Sequence, residues 1–402
     1  MPTGFRRRGI SALTAVLAGV ALAAGTGSSA HAGAAERPNL VKGSAYLVAP
    51  ARLIGGHYYN SFGRTADFGL TIDGALALAA TGDQDQALKE IVSFLAHGGQ
   101  DASGKTINYW TGIGTRNASG GSIGKEALLA EVVGANPRDF GGRDLIAALD
   151  ASICPRAGAG GSARCPAAGS YSFASSVFDQ SLGILGQLRA GQRRQAAAAV
   201  RCLERLQLAN GSFPSLIPGT GGDVDSTAMA VMALALVPGR GAAADVRAGL
   251  AWIAGRQNPD GGFPGAGGNS VNSAGLAIQA LALRQSAYRT RIAAADAFLA
   301  REQNADGGFS LGPGSQPGSD LRASTQAVSG AAGIPFGTLR RALSHPATAS
   351  SGPGGWTTAF IVIVVLAVAA AVAAATMRRR RRRSPAASAP EIRADPVGRH
   401  RR

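Results

Sequence analysis

The sequence predicts an all-α protein, an (α/α)6 toroid of six helical hairpins followed by one C-terminal transmembrane helix. The first observation is a repeated pattern, Gln-x-x-x-Gly-x-Phe, which begins at Gln207, Gln257 and Gln303, 50 and then 46 residues apart. Such a period marks an architecture in which each unit buries its apolar face against its neighbours. The second observation is a helical hairpin that recurs with this period. The third is a 22-residue uncharged run near the C-terminus.

Residues 1–32 are predicted to be a secretory signal peptide. Three arginines, Arg6 to Arg8, precede an apolar run that ends near Ala24, and Ala30-His31-Ala32 supplies small residues for cleavage. These parts in this order are typical of export signals. A retained membrane helix is the alternative, but the run is short for one. The sequence leaves open whether export uses the general or the twin-arginine route.

Residues 33–344 are predicted to form the toroid. Each unit begins with a helix rich in Ala, Gly, Leu and Met, which we expect inside the ring because it is apolar on every face. A second helix with a charged stripe follows, and we expect it on the outside. The predicted inner helices begin at Asp73, Gly124, Asp179, Asp225, Asn272 and Ala323. The predicted outer helices cover residues 84–96, 142–152, 193–208, 243–256, 288–302 and 336–343.

The repeated pattern is predicted to fasten neighbouring hairpins to one another. Its Gln amide can tie the end of an outer helix to the next loop, its glycines permit a turn with positive φ, and its aromatic ring fills the gap between hairpins. This structural role is assigned to Gln207, Phe213, Gln257, Gly261, Phe263, Gln303, Gly307 and Phe309.

The three cysteines indicate an oxidising environment. Cys154 and Cys165 flank a Gly-rich loop and are predicted to form a disulfide, whereas Cys202 lies in a helical stretch as a small apolar side chain. The sequence has no Cys-x-x-Cys, and between the signal peptide and the stalk its only histidines are His57 and His97. These ligands are too few for a zinc site, so no metal is predicted.

The C-terminal residues predict a single membrane anchor. Residues 345–355, rich in Gly, Pro and Ser, form a flexible stalk, and residues 356–377 are long enough to cross a bilayer. Arg378 to Arg383 follow directly, which predicts a basic cytoplasmic tail over residues 378–402 and an extracellular body. The protein is therefore expected in the cell membrane. Its formal charge of +16 reflects this topology and anionic lipid rather than nucleic acid.

Gln-x-x-x-Gly-x-aromatic is the repeat of the squalene/hopene cyclases, and the chain resembles the prenyltransferase and terpene-cyclase toroid superfamily. Phenylalanine stands here where that family usually has tryptophan. A sharper match is Asp223-Val-Asp225-Ser-Thr-Ala, which looks like the acidic box with which hopene-type cyclases protonate a polyene. The resemblance implies Asp225 as the general acid with Asp223 beside it, although Ser226 replaces the next aspartate of the box. The Asp-Cys-His zinc site of the related prenyltransferases is missing from the sequence.

A structural role explains the same polar residues without chemistry. Asp73, Asp179, Asp225 and Asn272 each stand where a predicted inner helix begins, and Asp and Asn are preferred N-cap residues. The helix dipole would keep such an aspartate ionised, which is the wrong state for an acid. The same four side chains would also surround the mouth of a ring, so they are candidate ligand-binding residues.

The inner-helix segment that begins at Asp225 is similar to the toroid helices of the extracellular cobalamin carriers. Those proteins bind a corrinoid between the toroid and a separate β-domain. The resemblance implies a corrinoid as a candidate ligand and a partner protein that supplies the β-domain. Other toroids cleave glycans with two carboxylates that converge on one cleft, and the sequence places no two at a working distance.

The leading interpretation is a membrane-anchored, cell-surface toroid that binds an apolar or corrinoid-like ligand in a central pocket, or serves as a scaffold, within an uptake system. Free N–H groups at the inner-helix ends would favour polar or anionic ligand groups. The alternative is a class II terpene cyclase-like enzyme, an isomerase with Asp225 as general acid. A third interpretation is an adhesion or spacer module whose ring is plugged by Met229, Met232 and leucines.

Overall fold

The computed structural model describes residues 36–62, 65–265 and 267–343. The predicted signal peptide, stalk, transmembrane helix and basic tail lie outside these residues. Within them, no helix has the length and apolar character needed to cross a bilayer. The structural unit that contains them ends at Leu343.

The described part of the chain forms thirteen α-helices and three short β-hairpins. The helices are α1 (Leu40–Val48), α2 (Phe68–Thr81), α3 (Asp85–Ala96), α4 (Ile107–Thr111), α5 (Gly120–Val133), α6 (Leu145–Ser152), α7 (Val177–Arg189), α8 (Ala197–Arg205), α9 (Val224–Leu234), α10 (Arg240–Gly255), α11 (Val271–Leu281), α12 (Gln285–Glu302) and α13 (Leu321–Ala331). The antiparallel strand pairs are β1 (Asn60–Phe62) with β2 (Thr65–Ala66), β3 (Phe213–Pro214) with β4 (Gly222–Asp223), and β5 (Phe263–Gly265) with β6 (Gly268–Ser270). The fold is therefore mostly helical rather than all-α, and each strand pair leads into an inner helix.

Six helices pack side by side and close into an inner ring. α2 packs against α5, and the contacts continue through α7, α9, α11 and α13 back to α2. Small residues let the helices approach closely, since a Cβ atom on Gly124 would lie 2.4 Å from the Cα atom of Gly183 in α7. Outside this ring α3, α6, α8, α10 and α12 each pack on the preceding inner helix. The predicted α/α toroid is confirmed.

The sixth outer helix is α1, which comes from the opposite end of the sequence. It packs against α13. The N–H group of its cap, Asn39, donates to Gln303 Oε1 at 2.7 Å, and Gln303 Nε2 donates to the Asn39 carbonyl at 2.9 Å. Gln207 and Gln257 make the equivalent bonds to main-chain carbonyls of α10 and α12. The outer helix predicted over residues 336–343 is wrong, because α1 already occupies its place.

Residues 332–343 instead form a strap across the C-terminal ends of the inner helices. Pro335 interrupts a helix here. The main-chain N–H of Arg341 donates to the carbonyl of Val132 at 2.8 Å. The Arg341 guanidinium binds the Asp85 carboxylate through two bonds of 2.6 and 2.8 Å. The strap therefore closes one end of the ring and satisfies a carbonyl group at the end of α5.

A buried aromatic ring precedes most inner helices. Phe213, Phe263 and Phe309 are fully buried, and Tyr59 and Tyr171 hold the equivalent positions before α2 and α7. The repeat pattern does not reveal the two tyrosines, because leucine and cysteine stand where it requires Gln. The main-chain N–H of four of these aromatic residues donates to a side chain one turn inside the inner helix. The acceptors are Thr71, Gln180, Thr227 and Ser324.

A disulfide closes the loop before α7. Cys154 and Cys165 are bonded, with Cα atoms 5.6 Å apart, and both side chains are buried. Cys202 on α8 is buried and carries a free thiol. Cys165 stands at the position where the repeat pattern has Gln. In this unit, therefore, a disulfide holds the loop in place of the hydrogen bonds that the Gln side chain makes in the units that carry it.

We expect Gly307→Ala to destabilise the protein more than Gly98→Ala. Both glycines have a positive φ, +90° and +96°, so alanine strains either backbone by about 1–2 kcal/mol. A Cβ atom at Gly307 would also lie 2.3 Å from the Lys42 carbonyl oxygen of α1, whereas one at Gly98 would meet nothing within 4 Å. We expect about 2 kcal/mol of additional loss for Gly307→Ala in urea denaturation. Equal losses would show that this contact does not hold the ring closed.

Candidate functional site

The six inner helices begin at the same face of the ring, which we call the mouth. Below the mouth, the centre of the ring is filled by side chains from every inner helix and from the strap. They leave a cavity of about 20 Å³, which is room for about one water molecule. The lining residues are Asp73, Leu76, Lys125, Phe178, Leu182, Met229, Leu276, Gln279, Thr325, Gln326, Ser329 and Phe336. The expected central pocket is thus plugged in the described ring, and Met232 is buried elsewhere in the core.

An ion pair lies within this filled centre. Lys125 Nζ is 2.7 Å from Asp73 Oδ1, and the two side chains are only 13% and 14% exposed. Neither residue type is normally buried without a partner, so each charge depends on the other. Asp73 was among the predicted site residues, whereas Lys125 was not. Lys125 is the one basic residue of α5, a predicted inner helix made mostly of small and apolar residues, and that is the signal that could have revealed a buried counter-charge.

Two further carboxylates lie in the field of Lys125. Burial raises the pKa of Asp179, while the Ser176 side chain and the Lys125 charge oppose the rise. Burial also raises the pKa of Asp67, but hydrogen bonds from Ser61 and from the main chain, with the charges of Arg322 and Lys125, outweigh it and leave the pKa lowered. Asp73 and Asp179, both predicted at the mouth, are therefore grouped around one ammonium.

Asp225 does not cap its helix. The cap of α9 is Asp223, whose Oδ1 accepts a hydrogen bond from the Ser226 N–H at 2.7 Å, and Asp225 is the second helical residue. The same correction applies to Asp73, Asp179 and Asn272, which also lie inside their helices. These helices start earlier than predicted because their first residue is a buried apolar side chain, and the polar cap precedes it. The prediction had placed each start at the polar residue nearest the Ala-rich run.

Cap side chains already occupy N–H groups at the mouth. In five of the six inner helices the cap accepts a hydrogen bond from the first turn. Only α5 begins without such a bond, at Ser119. The caps that accept are Asp67, Ser176, Asp223, Ser270 and Asp320. Each of these caps occupies one first-turn N–H group, which weakens the expected preference for anionic ligand groups at five of the six helices.

Asp225 combines burial with an unused acceptor. Its Oδ1 atom is inaccessible to water and has no hydrogen-bond partner among the described residues. Burial raises its pKa to about 6; the Ser273 side chain lowers it and the Asp223 charge raises it further. At neutral pH the carboxyl is mostly ionised, and a modest change in its surroundings would leave it protonated.

Asp225 and Asn272 line an open cleft at the mouth, which we call the Asp225 cleft. Its volume is about 440 Å³, within the usual range for small-molecule sites. The wall combines the N-terminal turns of α9 and α11 with Gly265, Gly267 and Gly268 of the β5–β6 hairpin and with a loop before α13. The described lining residues are Asp225, Gly265, Gly267, Gly268, Asn269, Ser270, Asn272, Ser273, Leu311, Gly312, Pro313, Gly314 and Ser315.

The predicted site residues thus separate into two groups. Asp73 and Asp179 lie around Lys125, where the ring is filled, whereas Asp225 and Asn272 face the Asp225 cleft. Asp223 serves as a cap and lies beside this second group. Asp225 is the one carboxylate among the described residues that line the cleft. The arrangement therefore lacks the pair of carboxylates that glycan hydrolysis requires at one open cleft.

Comparisons with known proteins agree on the fold. Residues 174–325 match the prenyltransferase alpha-alpha toroid domain. A variant of the type II terpene cyclase MstE from Scytonema, without ligand, is similar with a TM-score of 0.54 and 16% identity, over 73% of this chain and 95% of that one. A protein from Actinoplanes has a TM-score of 0.52 and 20% identity, over 73% of this chain and 97% of that one.

A polysaccharide lyase reaches a TM-score of 0.52 with 9% identity, over 73% of this chain and 96% of that one. Identities this low indicate a shared fold and leave the chemistry open. A comparison with curated protein sequences gives no match. The domain match and the type II terpene cyclase neighbours confirm the predicted resemblance: this chain has the fold of the prenyltransferase and squalene/hopene cyclase-type α/α toroid superfamily.

Proposed function

We propose that this protein is a ligand-binding toroid of the cell surface, which holds its ligand in the Asp225 cleft rather than at the centre of the ring. The observation that supports this most is the difference between the two spaces. The centre offers about 20 Å³, while the Asp225 cleft offers about 440 Å³. A small-molecule site usually requires about 300 Å³ or more, and the cleft meets this requirement.

The polar character of the Asp225 cleft favours binding over a purely structural role. Two acceptor oxygens in it, Asp225 Oδ1 and Asn272 Oδ1, are buried without a hydrogen-bond partner among the described residues, and the Ser273 side chain lies beside Asp225 as a hydrogen-bond donor to its carboxylate. Buried polar groups in native proteins are nearly always hydrogen-bonded. A plugged spacer module has no need for such a cluster at its surface. A bound ligand would supply the missing partners.

The cell-surface location rests on the predicted signal peptide, residues 1–32, and the predicted span, residues 356–377. The ligand expected from the resemblance to cobalamin carriers is a corrinoid, and its rim of carboxamide groups carries hydrogen-bond donors suited to the cleft. A corrinoid is larger than the cleft, so most of it would lie outside. A partner protein that supplies the β-domain of the cobalamin carriers would cover the exposed part.

A thermal-shift panel of corrinoids and isoprenoids tests this proposal. We expect at least one corrinoid to raise the midpoint of the full chain, and Asp225→Asn to remove most of that shift. Asp139→Asn provides a matched control, because Asp139 is an exposed aspartate distant in sequence from the cleft. No shift with either class, or an equal shift in both variants, would exclude the proposal as stated.

A second candidate is a terpene cyclase-like isomerase, which two observations favour. The pKa of Asp225 is raised to about 6, and solved type II terpene cyclases share the fold. The filled centre opposes it, because a polyene needs an enclosed apolar chamber. Incubation with squalene and with geranylgeranyl substrates distinguishes the isomerase from the ligand-binding protein. Cyclic products that disappear in Asp225→Asn would establish the enzyme and replace the binding proposal.

A further inference from the structure

The chemistry of the Asp225 cleft indicates what kind of group it holds. Asp225 Oδ1 and Asn272 Oδ1 are hydrogen-bond acceptors without a partner among the described residues, and the neighbouring Ser273 hydroxyl can donate to the Asp225 carboxylate. Leaving buried acceptors unpaired is unfavourable, so a complementary ligand must bring donors. A carboxylate accepts most strongly from a donor that carries positive charge.

No basic side chain competes for this carboxylate. The described residues that line the cleft include no Lys, Arg or His, and Asp225 is their only ionisable group. The nearest charge that acts on Asp225 is Asp223, which is also acidic and caps α9. The cleft is therefore negative, in contrast to the centre of the ring, where Lys125 neutralises Asp73.

The rest of the wall is apolar or main chain. Leu311 is 47% exposed, an unusual position for a leucine in this protein, and Pro313 follows it in the same loop. The loop is held in place, because the Val271 N–H donates to the Leu311 carbonyl at 3.2 Å. Gly312 lies so close to β6 that a Cβ atom there would be 2.2 Å from the Asn269 carbonyl oxygen. This side of the cleft is thus fixed by contacts within the protein.

We propose that the Asp225 cleft binds an organic cation, a protonated amine or guanidinium carried on a short apolar body. The charged head donates to Asp225 and Ser273, and the apolar body lies against Leu311 and Pro313. This inference rests on the proposed ligand-binding function and names an organic cation, in place of a corrinoid, as the class of ligand. It also distinguishes the cleft from a cyclase acid site, because cation binding needs Asp225 ionised whereas protonation of a polyene needs it protonated.

Titration calorimetry on the full chain in detergent tests the inference with isosteric probes. The cations are butylammonium and butylguanidinium, and the comparison probes are butanol and butyrate. We expect both cations to bind at least tenfold more tightly than butanol, and butyrate not to bind. Asp225→Asn should weaken cation binding at least tenfold and Ser273→Ala severalfold, while Asp139→Asn should leave it unchanged.

The pH dependence supplies a second readout. Below pH 6 we expect the affinity for butylammonium to fall about tenfold per pH unit, as Asp225 takes up a proton, and Asp225→Asn should show no such fall. Asp223 is the one other ionisable group that acts on Asp225, and the variant Asp223→Ser, which keeps a capping side chain, should retain the fall.

Equal binding of cations and butanol, or unchanged cation binding in Asp225→Asn, would overturn the inference. A corrinoid shift without cation binding would overturn it while leaving the proposed function in place. If neither probe class binds, both proposals fail together.

Discussion

Glu126→Gln is expected to stabilise the protein at neutral pH by about 3 kcal/mol. Glu126 lies in α5 and is completely buried, and neither of its carboxyl oxygens has a partner among the described residues. Burial alone raises its pKa from the usual 4.5 to about 8. At pH 7 the unfolded chain releases this proton and the folded chain keeps it, so the folded state is disfavoured by about 1.4 kcal/mol for each pH unit above 4.5.

Because the folded state loses stability as the pH rises, the test compares the stability of the two proteins at several pH values. Below about pH 4.5 both states are protonated, so Glu126 imposes no penalty and the wild-type protein and Glu126→Gln should be equally stable. As pH rises towards 8, the wild-type protein alone should lose stability. Urea denaturation at pH 4.5, 6 and 8 measures the difference. Glu36→Gln, at an exposed position, is the control and should change nothing. A difference that does not vary with pH would show that the carboxyl is not held protonated.

Lys125→Met is expected to cost 3–5 kcal/mol, which is the usual loss when one partner of a buried ion pair is removed. Asp73 would lose the ammonium partner that now lies 2.7 Å away at the filled centre. Asp67 and Asp179 would also lose the charge that offsets their own. Methionine has nearly the length of lysine, so the loss would reflect charge more than volume.

The double variant Lys125→Met/Asp73→Leu separates charge from packing. With both charges absent, most of the lost stability should return, because an apolar pair of similar volume can replace a buried ion pair. Lys89→Met, on the exposed side of α3, serves as the control. If the double variant is as unstable as Lys125→Met, the loss arises from packing and the electrostatic explanation is wrong.

The repeat could be predicted because its residues perform local tasks. The amide group of each repeat Gln donates a hydrogen bond to a main-chain carbonyl of the helix that packs next to it, as seen for Gln207, Gln257 and Gln303. The same residue type therefore recurs wherever this local geometry recurs. The closing helix was not predictable in this way. α1 occupies the place of a sixth outer helix, but nothing local to residues 40–48 shows that its partner is about 280 residues away. Residues 336–343 of the strap were predicted as an outer helix because nothing local to them shows that α1 already takes that place.

The candidate site was only partly predictable. Asp225 and Asn272 were identified as polar residues near the start of small-residue helices, and the structure does bring them to one cleft. Ser273 and Leu311 were not identified, because the first reads as an ordinary helical serine and the second as one leucine in a Gly-rich loop. Lys125 was missed because the partner that fixes its position, Asp73, lies on another helix.

The exchange between Asn39 and Gln303, 264 positions apart, has a consequence for biogenesis. Helix α1 is made first, but its binding surface on α13 exists only after nearly the whole body has been synthesised. Contacts of such sequence separation slow folding and leave apolar surface uncovered in the meantime. We therefore expect a late, cooperative final folding step, because α1 and α13 must meet before the ring is closed.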